Sequence, residues 1–132
     1  MSQRYYDLEE RFTTFGVSTV THFRTYKDPI FRKPIEQVVK SSTSVGANYV
    51  EANNGSSRAD FRNKIFIAKK EASETRYWFN FFQRCGDKSQ KLCELQDEIQ
   101  QIIMILQKII NTLKSGPGKS SETWTLKMFW KL

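Results

Sequence analysis

The sequence predicts an all-α protein, an antiparallel up-down-up-down four-helix bundle. Four segments repeat apolar residues at alternating spacings of three and four, which is the mark of one helical face. The segments have similar lengths and short connections rich in Pro, Gly, Asn and Ser, which favours antiparallel neighbours. No strand pattern occurs within them. We place one domain at 1–114, with helices at about 5–27, 34–53, 57–85 and 89–114, and a C-terminal tail at 115–132.

Prolines bound the connection between the first two helices. Pro34 suits the first turn of the second helix, because the missing N–H of proline costs nothing there. In both helices the predicted core positions follow the helical period. They are Leu8, Phe12, Phe15, Thr19, His22 and Tyr26 in the first helix and Ile35, Val38, Ser42, Val45 and Tyr49 in the second.

The stretch VVKSSTSVGANYVEAN (38–53) is rich in Ser, Thr, Gly and Asn, which are mediocre or poor helix formers. The apolar spacing nevertheless continues through it to Val45 and Tyr49, which favours a helix over a loop that holds a ligand. A phosphate-binding loop would need Gly-x-x-x-x-Gly-Lys-Ser/Thr after a strand, and neither feature is present. Gly46 and Ala47 are expected to let a neighbouring helix approach closely.

The third helix is predicted to begin after the turn NNGSS (53–57), with Ser57 as N-cap and Asp60 in the capping-box position. Gly86 ends it, and SGPG (115–118) ends the fourth. The predicted core positions are Phe61, Ile65, Ala68, Ala72, Thr75, Phe79 and Phe82 in the third helix and Leu92, Leu95, Ile99, Ile102, Leu106, Ile109 and Leu113 in the fourth.

The third helix also carries two unusual faces outside its core stripe. One flank is basic, and its residues are Arg58, Arg62, Lys69 and Arg76. Opposite the core, where a surface helix is normally polar, three aromatic residues occur: Phe66, Tyr77 and Phe81. Aromatic side chains are enriched in subunit interfaces and also stack on unpaired bases. We interpret the three as an oligomer interface, with base stacking or cover by the chain's own loops or tail as alternatives.

Five polar residues are predicted to form a structural network between the second and third helices: Ser44, Asn48, Glu51, Glu71 and Glu74. Glu71 and Glu74 would accept hydrogen bonds from Ser44, Asn48 or a basic side chain, because buried charges require such partners. A di-iron site would need Glu-x-x-His motifs on two helices. The only histidine, His22, has Thr at the motif's first position, so neither motif exists.

The composition narrows the function classes. Two cysteines and one histidine do not make a metal site, and no Ser/Cys–His–Asp spacing suggests a nucleophile. We therefore expect no enzyme activity and no cofactor. The start of the chain lacks the apolar region of a signal peptide, and the longest aliphatic run, 102–106, is far shorter than the roughly 20 residues that span a bilayer. We expect a cytoplasmic protein with reduced thiols.

The net charge is +7, with the excess in 31–58, 59–88 and 115–132. A basic excess concentrated in this way attracts polyanions such as RNA, DNA or an acidic protein surface. The alternative is a basic surface that only keeps the protein in solution.

Three motifs carry a resemblance to a known family. They are Ser44-x-Gly-Ala-Asn48-x-x-Glu51, Ser57-Arg58-x-x-Phe61 and Ala68-x-x-Glu71-x-x-Glu74-x-x-x-Trp78, in that order on the second and third predicted helices. With the closing Ile-rich helix, the chain over most of 7–114 resembles the four-helix-bundle proteins first named from intervening sequences in bacterial 23S ribosomal RNA genes.

The resemblance implies a ring-shaped homopentamer without catalytic activity. It also implies kinship with accessory proteins of diversity-generating retroelements, which bind nucleic acid and a reverse transcriptase. Lys40 stands where the family's motif commonly has Arg, and Lys lacks the planar fork that pairs bidentately with carboxylate or phosphate. An Arg–Glu clamp is therefore not expected here.

The tail lies outside the resemblance. In it Trp124, Leu126, Met128, Trp130 and Leu132 alternate as in a strand, which suits docking on a partner or a neighbouring subunit, although a disordered end is the alternative.

Two function hypotheses follow from the sequence. The first is a non-enzymatic homo-oligomer that binds nucleic acid with little sequence preference, and the predicted phosphate contacts are Lys40, Arg58, Arg62, Lys69 and Arg76. The second is a protein–protein adaptor, for example of a reverse transcriptase, that uses the aromatic face of the third helix or the tail.

Overall fold

The computed structural model describes the backbone of residues 2–115 and the side chains of residues 8–114. This part of the chain is all-α, as predicted, and contains no strand. Its four helices are α1 (Ser2–Phe23), α2 (Arg32–Asn53), α3 (Arg58–Arg84) and α4 (Gln90–Ser115), with a 3₁₀ turn at Pro29–Phe31 before α2. The remaining tail, 116–132, lies outside the described residues.

Contacts between the helices show that neighbours run antiparallel. In each neighbouring pair, later residues of one helix meet earlier residues of the other. The contacts are Phe12–Gly46 and Gly16–Thr43 for α1 and α2, Glu51–Lys64 and Ser41–Thr75 for α2 and α3, Arg58–Leu113 and Asn80–Gln96 for α3 and α4, and Arg11–Glu98 and His22–Asp87 along α1 and α4. The helices α2 and α3 share the most extensive contact, and α1 and α4 the least. The result is an up-down-up-down bundle.

The predicted core stripes are mostly correct. Every predicted position of α3 and α4 is buried, and Ile103 and Ile110 widen the stripe of α4. On α1 the last core residue is Phe23 at 1% exposure, and His22, predicted for the core, instead turns to Asp87 at the start of α4. On α2, Ser41 and Ala52 join the predicted positions, while Ile35 is only half-buried.

The end of α1 differs from the predicted end at 27. The Thr25 hydroxyl donates to the His22 carbonyl (2.6 Å), and the Tyr26 amide donates to the Phe23 carbonyl (3.2 Å), so the last turn tightens and the helix stops at Phe23. Asp28 then caps the 3₁₀ turn by accepting from the Ile30 amide (3.0 Å). The local hydrogen bonds of Thr25 and Asp28 thus outweigh the helical spacing that pointed to Tyr26.

The termini of α3 follow the predicted residues. The Ser57 hydroxyl accepts from the Asp60 amide (3.0 Å) and caps the first turn, while the Asp60 carboxylate accepts from the Ser56 hydroxyl (2.9 Å). At the other end Gly86 adopts φ +124°, which favours glycine. The Asp87 amide then reaches the Phe82 carbonyl (3.1 Å), so the chain turns directly towards α4.

The polar stretch of α2 is helical throughout. The hydroxyls of Ser42, Thr43 and Ser44 donate to backbone carbonyls three or four residues earlier, which satisfies these donors inside the helix. Gly46 meets α1 so closely that an added Cβ would lie 3.4 Å from the Cβ of Phe12. The small residues therefore serve close packing of α1 on α2. None of the helices among the described residues has both the length and the apolar composition that a bilayer crossing requires.

Candidate nucleic-acid interface

The basic flank of α3 lies along α4. Arg76 donates from Nη1 to Oε1 of Gln100 (3.0 Å), and Asn80 and Gln96 pair across the same line (3.1 Å). Arg62 and Lys69 precede Arg76 by fourteen and seven residues, so the three share one side of the helix. We call Arg62, Lys69 and Arg76 the basic seam.

The basic seam is not neutralised by carboxylates of the described residues. Among the side chains of residues 8–114, carboxylates pair with Arg11, Lys64 and Lys91 and hydrogen-bond with His22, and none pairs with a seam residue. The α4 residues that face the seam and its continuation are amides, Gln96 and Gln100. Arg62 and Arg76 are exposed, and Lys69 is half-buried. Positive charge therefore faces solvent along about 21 Å of helix, at 1.5 Å per residue.

Arg58 begins the same flank but has a structural contact. Its guanidinium donates to the carbonyl of Leu113 in the last turn of α4. The carbonyls of a last helical turn have no partner within the helix, and a cation is favourable there because of the helix dipole. Arg58 thus closes the end of α4 at the edge of the basic seam.

Lys40 lies on the opposite side of α3 from the seam. It is close enough to Glu71 to lower the pKa of that carboxyl, whereas burial and the neighbouring Glu74 raise it, and the net pKa of Glu71 is raised. Four of the five predicted phosphate contacts therefore share the α3–α4 side, and Lys40 sits between α2 and α3.

The predicted polar residues bond mostly within their own helices, and only Glu51 connects α2 to α3. Glu51 pairs with Lys64 (2.7 Å), and Glu74 accepts from the indole N–H of Trp78 (3.1 Å). Ser44 donates to the Lys40 carbonyl (2.7 Å) and Asn48 to the Ser44 carbonyl (2.8 Å), rather than to Glu71 or Glu74. The carbonyl four residues earlier in the same helix lies within reach of each of these side chains, which explains the difference.

A buried hydroxyl pair between α2 and α3 was missed by the sequence analysis. Thr75 Oγ1 lies 2.8 Å from Ser41 Oγ and 2.9 Å from the Glu71 carbonyl, and the Ser41 hydroxyl lies 3.3 Å from the Val38 carbonyl. Ser41 and Thr75 are 1% and 0% exposed. A Thr in the stripe of α3 opposite a polar flank of α2 was the available signal.

Of the three residues on the aromatic face of α3, two are exposed and one packs against the core. Phe66 and Tyr77 are 43% and 58% exposed. Phe81 is half-buried and packs edge-to-face on the core ring of Phe82, with centroids 5.5 Å apart, and Trp78 bridges Phe81 and Tyr77 at 5.4 and 4.9 Å. We call Phe66, Tyr77 and Phe81 the aromatic ridge.

Asp87 joins α1 to the start of α4. Its Oδ2 accepts from Tyr26 (2.6 Å) and from His22 Nε2 (2.8 Å), and its Oδ1 accepts from the hydroxyl (2.6 Å) and amide (3.0 Å) of Ser89. Burial alone would raise the pKa of Asp87, but the hydrogen bonds from Ser89, Tyr26 and His22 hold it well below its usual range. Burial, then the bond to Asp87, raises the pKa of Tyr26. Neither here nor at any other place among the described residues do three His, Cys, Asp or Glu side chains converge as a metal site requires.

Comparisons with known proteins agree with this bundle. Residues 17–108 match the family model of the 23S rRNA-intervening sequence proteins. The fold is similar to the crystal structure of a protein of unknown function from the S23 ribosomal protein family of Bacteroides thetaiotaomicron, with a TM-score of 0.72 and 30% identity over 83% of this chain and 99% of that one. The comparison with curated proteins returned no match. The resemblance inferred from the motifs is thus confirmed, and the chain belongs to the family of 23S rRNA-intervening sequence proteins.

Proposed function

We propose that this chain is a non-enzymatic, cytoplasmic, homo-oligomeric bundle that binds RNA or an RNA/DNA hybrid through the basic seam. The observation that carries the proposal is the seam itself: three cations in one row, with no carboxylate of residues 8–114 paired to them.

The seam suits recognition of a backbone rather than of bases. Its cations recur every seven residues, which corresponds to about 10.5 Å along the helix. Such a row can bind several phosphates of one strand, and phosphate contacts fix position without carrying sequence information. Gln96 and Gln100 add amide donors beside the cations. Binding with little sequence preference and a steep dependence on salt is expected.

Self-association is the second part of the proposal. The resemblance implies a pentameric ring, and the exposed rings of Phe66 and Tyr77 supply an apolar surface of the kind that subunit interfaces bury. In a ring of five copies, five basic seams would surround one axis, and a strand could engage several at once.

Charge reversal tests the site. The triple variant R62E/K69E/R76E should lose binding to a labelled RNA oligonucleotide in fluorescence anisotropy and keep its helicity by circular dichroism. The matched control K27E/R32E/K33E makes the same change in net charge at exposed residues near the start of α2 and should bind much more tightly. Equal loss in both variants would mean that net charge alone matters, and binding by the seam variant at wild-type affinity would overturn the site.

A second candidate function is that of an adaptor for a protein such as a reverse transcriptase. The exposed part of the aromatic ridge favours it, since aromatic side chains often anchor protein interfaces. The variant F66D/Y77D separates the two functions when its oligomeric state is measured by light scattering alongside, because the same two rings are proposed to be buried between subunits. If F66D/Y77D loses capture of the partner protein but keeps RNA binding, the adaptor function is supported. If R62E/K69E/R76E, in which the ridge is intact, loses RNA binding, the nucleic-acid binder is supported.

A further inference from the structure

A groove of about 520 Å³ runs along the outer side of the bundle between α1 and α2. Gly16, Gly46 and Ala47 leave it open, and Val17, Val20 and Val50 form much of its walls. Val17 is 60% exposed, although valine is usually buried. The groove thus exposes apolar surface on the side of the molecule that does not carry the basic seam.

The threonines of the groove do not make it polar. The hydroxyl of Thr13 donates to the Glu9 carbonyl (2.8 Å) and that of Thr43 to the Val39 carbonyl (2.8 Å), so both donors are already used within their helices. The Thr43 methyl group lies 3.6 Å from the position of a Cβ on Gly16, at the line where the two helices meet. The groove therefore suits an apolar occupant.

We propose that the aromatic ridge of a second copy of this chain packs into this groove. The proposal rests on the self-association proposed above and names the two surfaces that meet. The lengths are similar: Phe66 and Tyr77 are eleven residues apart on α3, and the groove extends from Phe12 of α1 to Arg24, twelve residues later. These spans correspond to about 16.5 and about 18 Å of helix.

The charges of the ridge disfavour a contact between two ridges. Lys70 and Arg84 are exposed and lie on the same face of α3 as Phe66 and Tyr77, so a symmetric contact would bring like charges together. Around the groove the charges are mixed: Glu10 and Glu36 lie two turns from Val17 and Thr43 on the same faces, and Arg24 lines one end. A basic ridge can meet this surface without a row of facing cations.

Ridge and groove face different sides of the bundle, because the groove lies between α1 and α2 and the ridge lies on the outer face of α3. Two copies therefore cannot make both contacts with each other at once, and the contact is heterologous. Each copy then offers one surface to the copy before it and the other surface to the copy after it. A contact of this kind closes into a ring when its rotation permits, or else continues as a filament. A ring-shaped oligomer therefore needs no additional interface.

Cross-linking tests which surfaces meet. Cys85 and Cys93 are exposed and free, so both are first replaced by Ser. Copies with Val17→Cys are mixed with copies carrying Tyr77→Cys and treated with a short bismaleimide. A second mixture, of copies with Ala47→Cys and copies with Phe66→Cys, tests a different alignment of the ridge along the groove. We expect dimers only in the mixtures of groove and ridge variants. The control pairs Val17→Cys with Met104→Cys, which is 61% exposed on α4 and belongs to neither surface.

Filling the groove gives an independent test. The exposed Ala47 is changed to Trp, and Met104→Trp adds the same ring elsewhere. Ala47→Trp should raise the protein concentration needed for assembly about 30-fold or more, as expected for an interface hot spot, while Met104→Trp leaves it unchanged. Light scattering at a series of concentrations measures both.

The outcomes separate this proposal from self-association itself. Cross-links between two Tyr77→Cys copies, or unchanged assembly of Ala47→Trp, would show that the ridge does not pack into the groove. Self-association itself would still be supported. A wild-type chain that stays monomeric at all concentrations would overturn both.

Discussion

At the scale of single residues, the hydrogen bonds of Asp87 connect α1 to the segment just before α4. Asp87 accepts four hydrogen bonds, and its side chain is only 8% exposed. A carboxylate in such a position is stabilised in its charged form, whereas its burial without these donors would be costly. Because α1 and α4 share the least extensive contact of the neighbouring helices, the hydrogen bonds of Asp87 are a notable part of what connects α1 to the α4 end of the bundle.

We expect Asp87→Asn to lower the free energy of unfolding by about 2–4 kcal/mol at pH 7, since it weakens several charge-assisted hydrogen bonds. The pKa of Asp87 is depressed in the folded state, so its contribution is present above the unfolded pKa of about 4 and is lost as pH falls towards the folded pKa. The difference between wild type and variant should therefore shrink below about pH 4. Urea unfolding at several pH values measures it.

The exposed Asp97 on α4 supplies the control, because Asp97→Asn removes an equal charge. Its effect should stay within about 0.5 kcal/mol. If Asp87→Asn changed the free energy of unfolding no more than Asp97→Asn at every pH, the hydrogen bonds of Asp87 would add nothing to stability.

The hydroxyl pair of Ser41 and Thr75 predicts a coupled effect. Thr75→Val leaves the Ser41 hydroxyl buried without this neighbour and should cost about 1–2 kcal/mol, whereas the double variant S41A/T75V removes both polar groups and should cost less than the sum of the two single changes. A double-mutant cycle in urea measures the coupling. Thr75→Val with Ser44→Ala is the control, because the Ser44 hydroxyl bonds within its own helix, and strict additivity in both cycles would contradict the prediction.

At the scale of helices, the close approach of α1 and α2 depends on Gly46. An added Cβ would lie 3.4 Å from Phe12 Cβ, the near limit of an ordinary contact, so Gly46→Ala should fit and gain up to about 1 kcal/mol from helix propensity. Gly46→Leu has no such room, and we expect it to lower the free energy of unfolding by about 1–3 kcal/mol by overpacking. Thermal unfolding compares them. Ala59→Leu, at an exposed position of α3 outside the groove, is the control, and equal tolerance of Leu at both positions would contradict the close approach.

The helices themselves were predictable from the sequence because their signals are periodic. The stripes of α3 and α4 each repeat over about six turns, and their predicted positions are all buried. The end of α1 was not predictable in the same way. There the hydrogen bonds of Thr25 and Asp28 end the helix at Phe23, so Tyr26 packs against the core from the connection after α1 and not from a further helical turn. Helix ends depend on such side-chain bonds, which a period does not encode.

At the scale of the whole molecule, the sequence located the basic flank but not its surroundings. Helical winding placed Arg62, Lys69 and Arg76 on one side of α3, and the structure places that side along α4. Whether Lys40 lies near the basic seam depends on how α2 packs on α3, which the sequence does not show. In the structure Lys40 lies near Glu71, away from the seam. The groove between α1 and α2 was also not predicted. Its shape depends on the distance between two packed helices, which neither sequence segment shows by itself.

The number of subunits that bind one strand should appear in the salt dependence of binding. For a single strand the logarithmic slope is about −0.7 per neutralised phosphate, so one seam of three cations predicts a slope of about −2 and five seams about −10. If the ring forms, we expect a slope steeper than −2 for a long RNA, and a return towards −2 in the Ala47→Trp variant. Anisotropy titrations from low to moderate NaCl measure the slope, and Arg62→Gln should reduce it by about 0.7 for each engaged subunit. Met104→Trp should keep the wild-type slope. A wild-type slope near −2 at concentrations where the oligomer is present would mean that one subunit binds the strand alone.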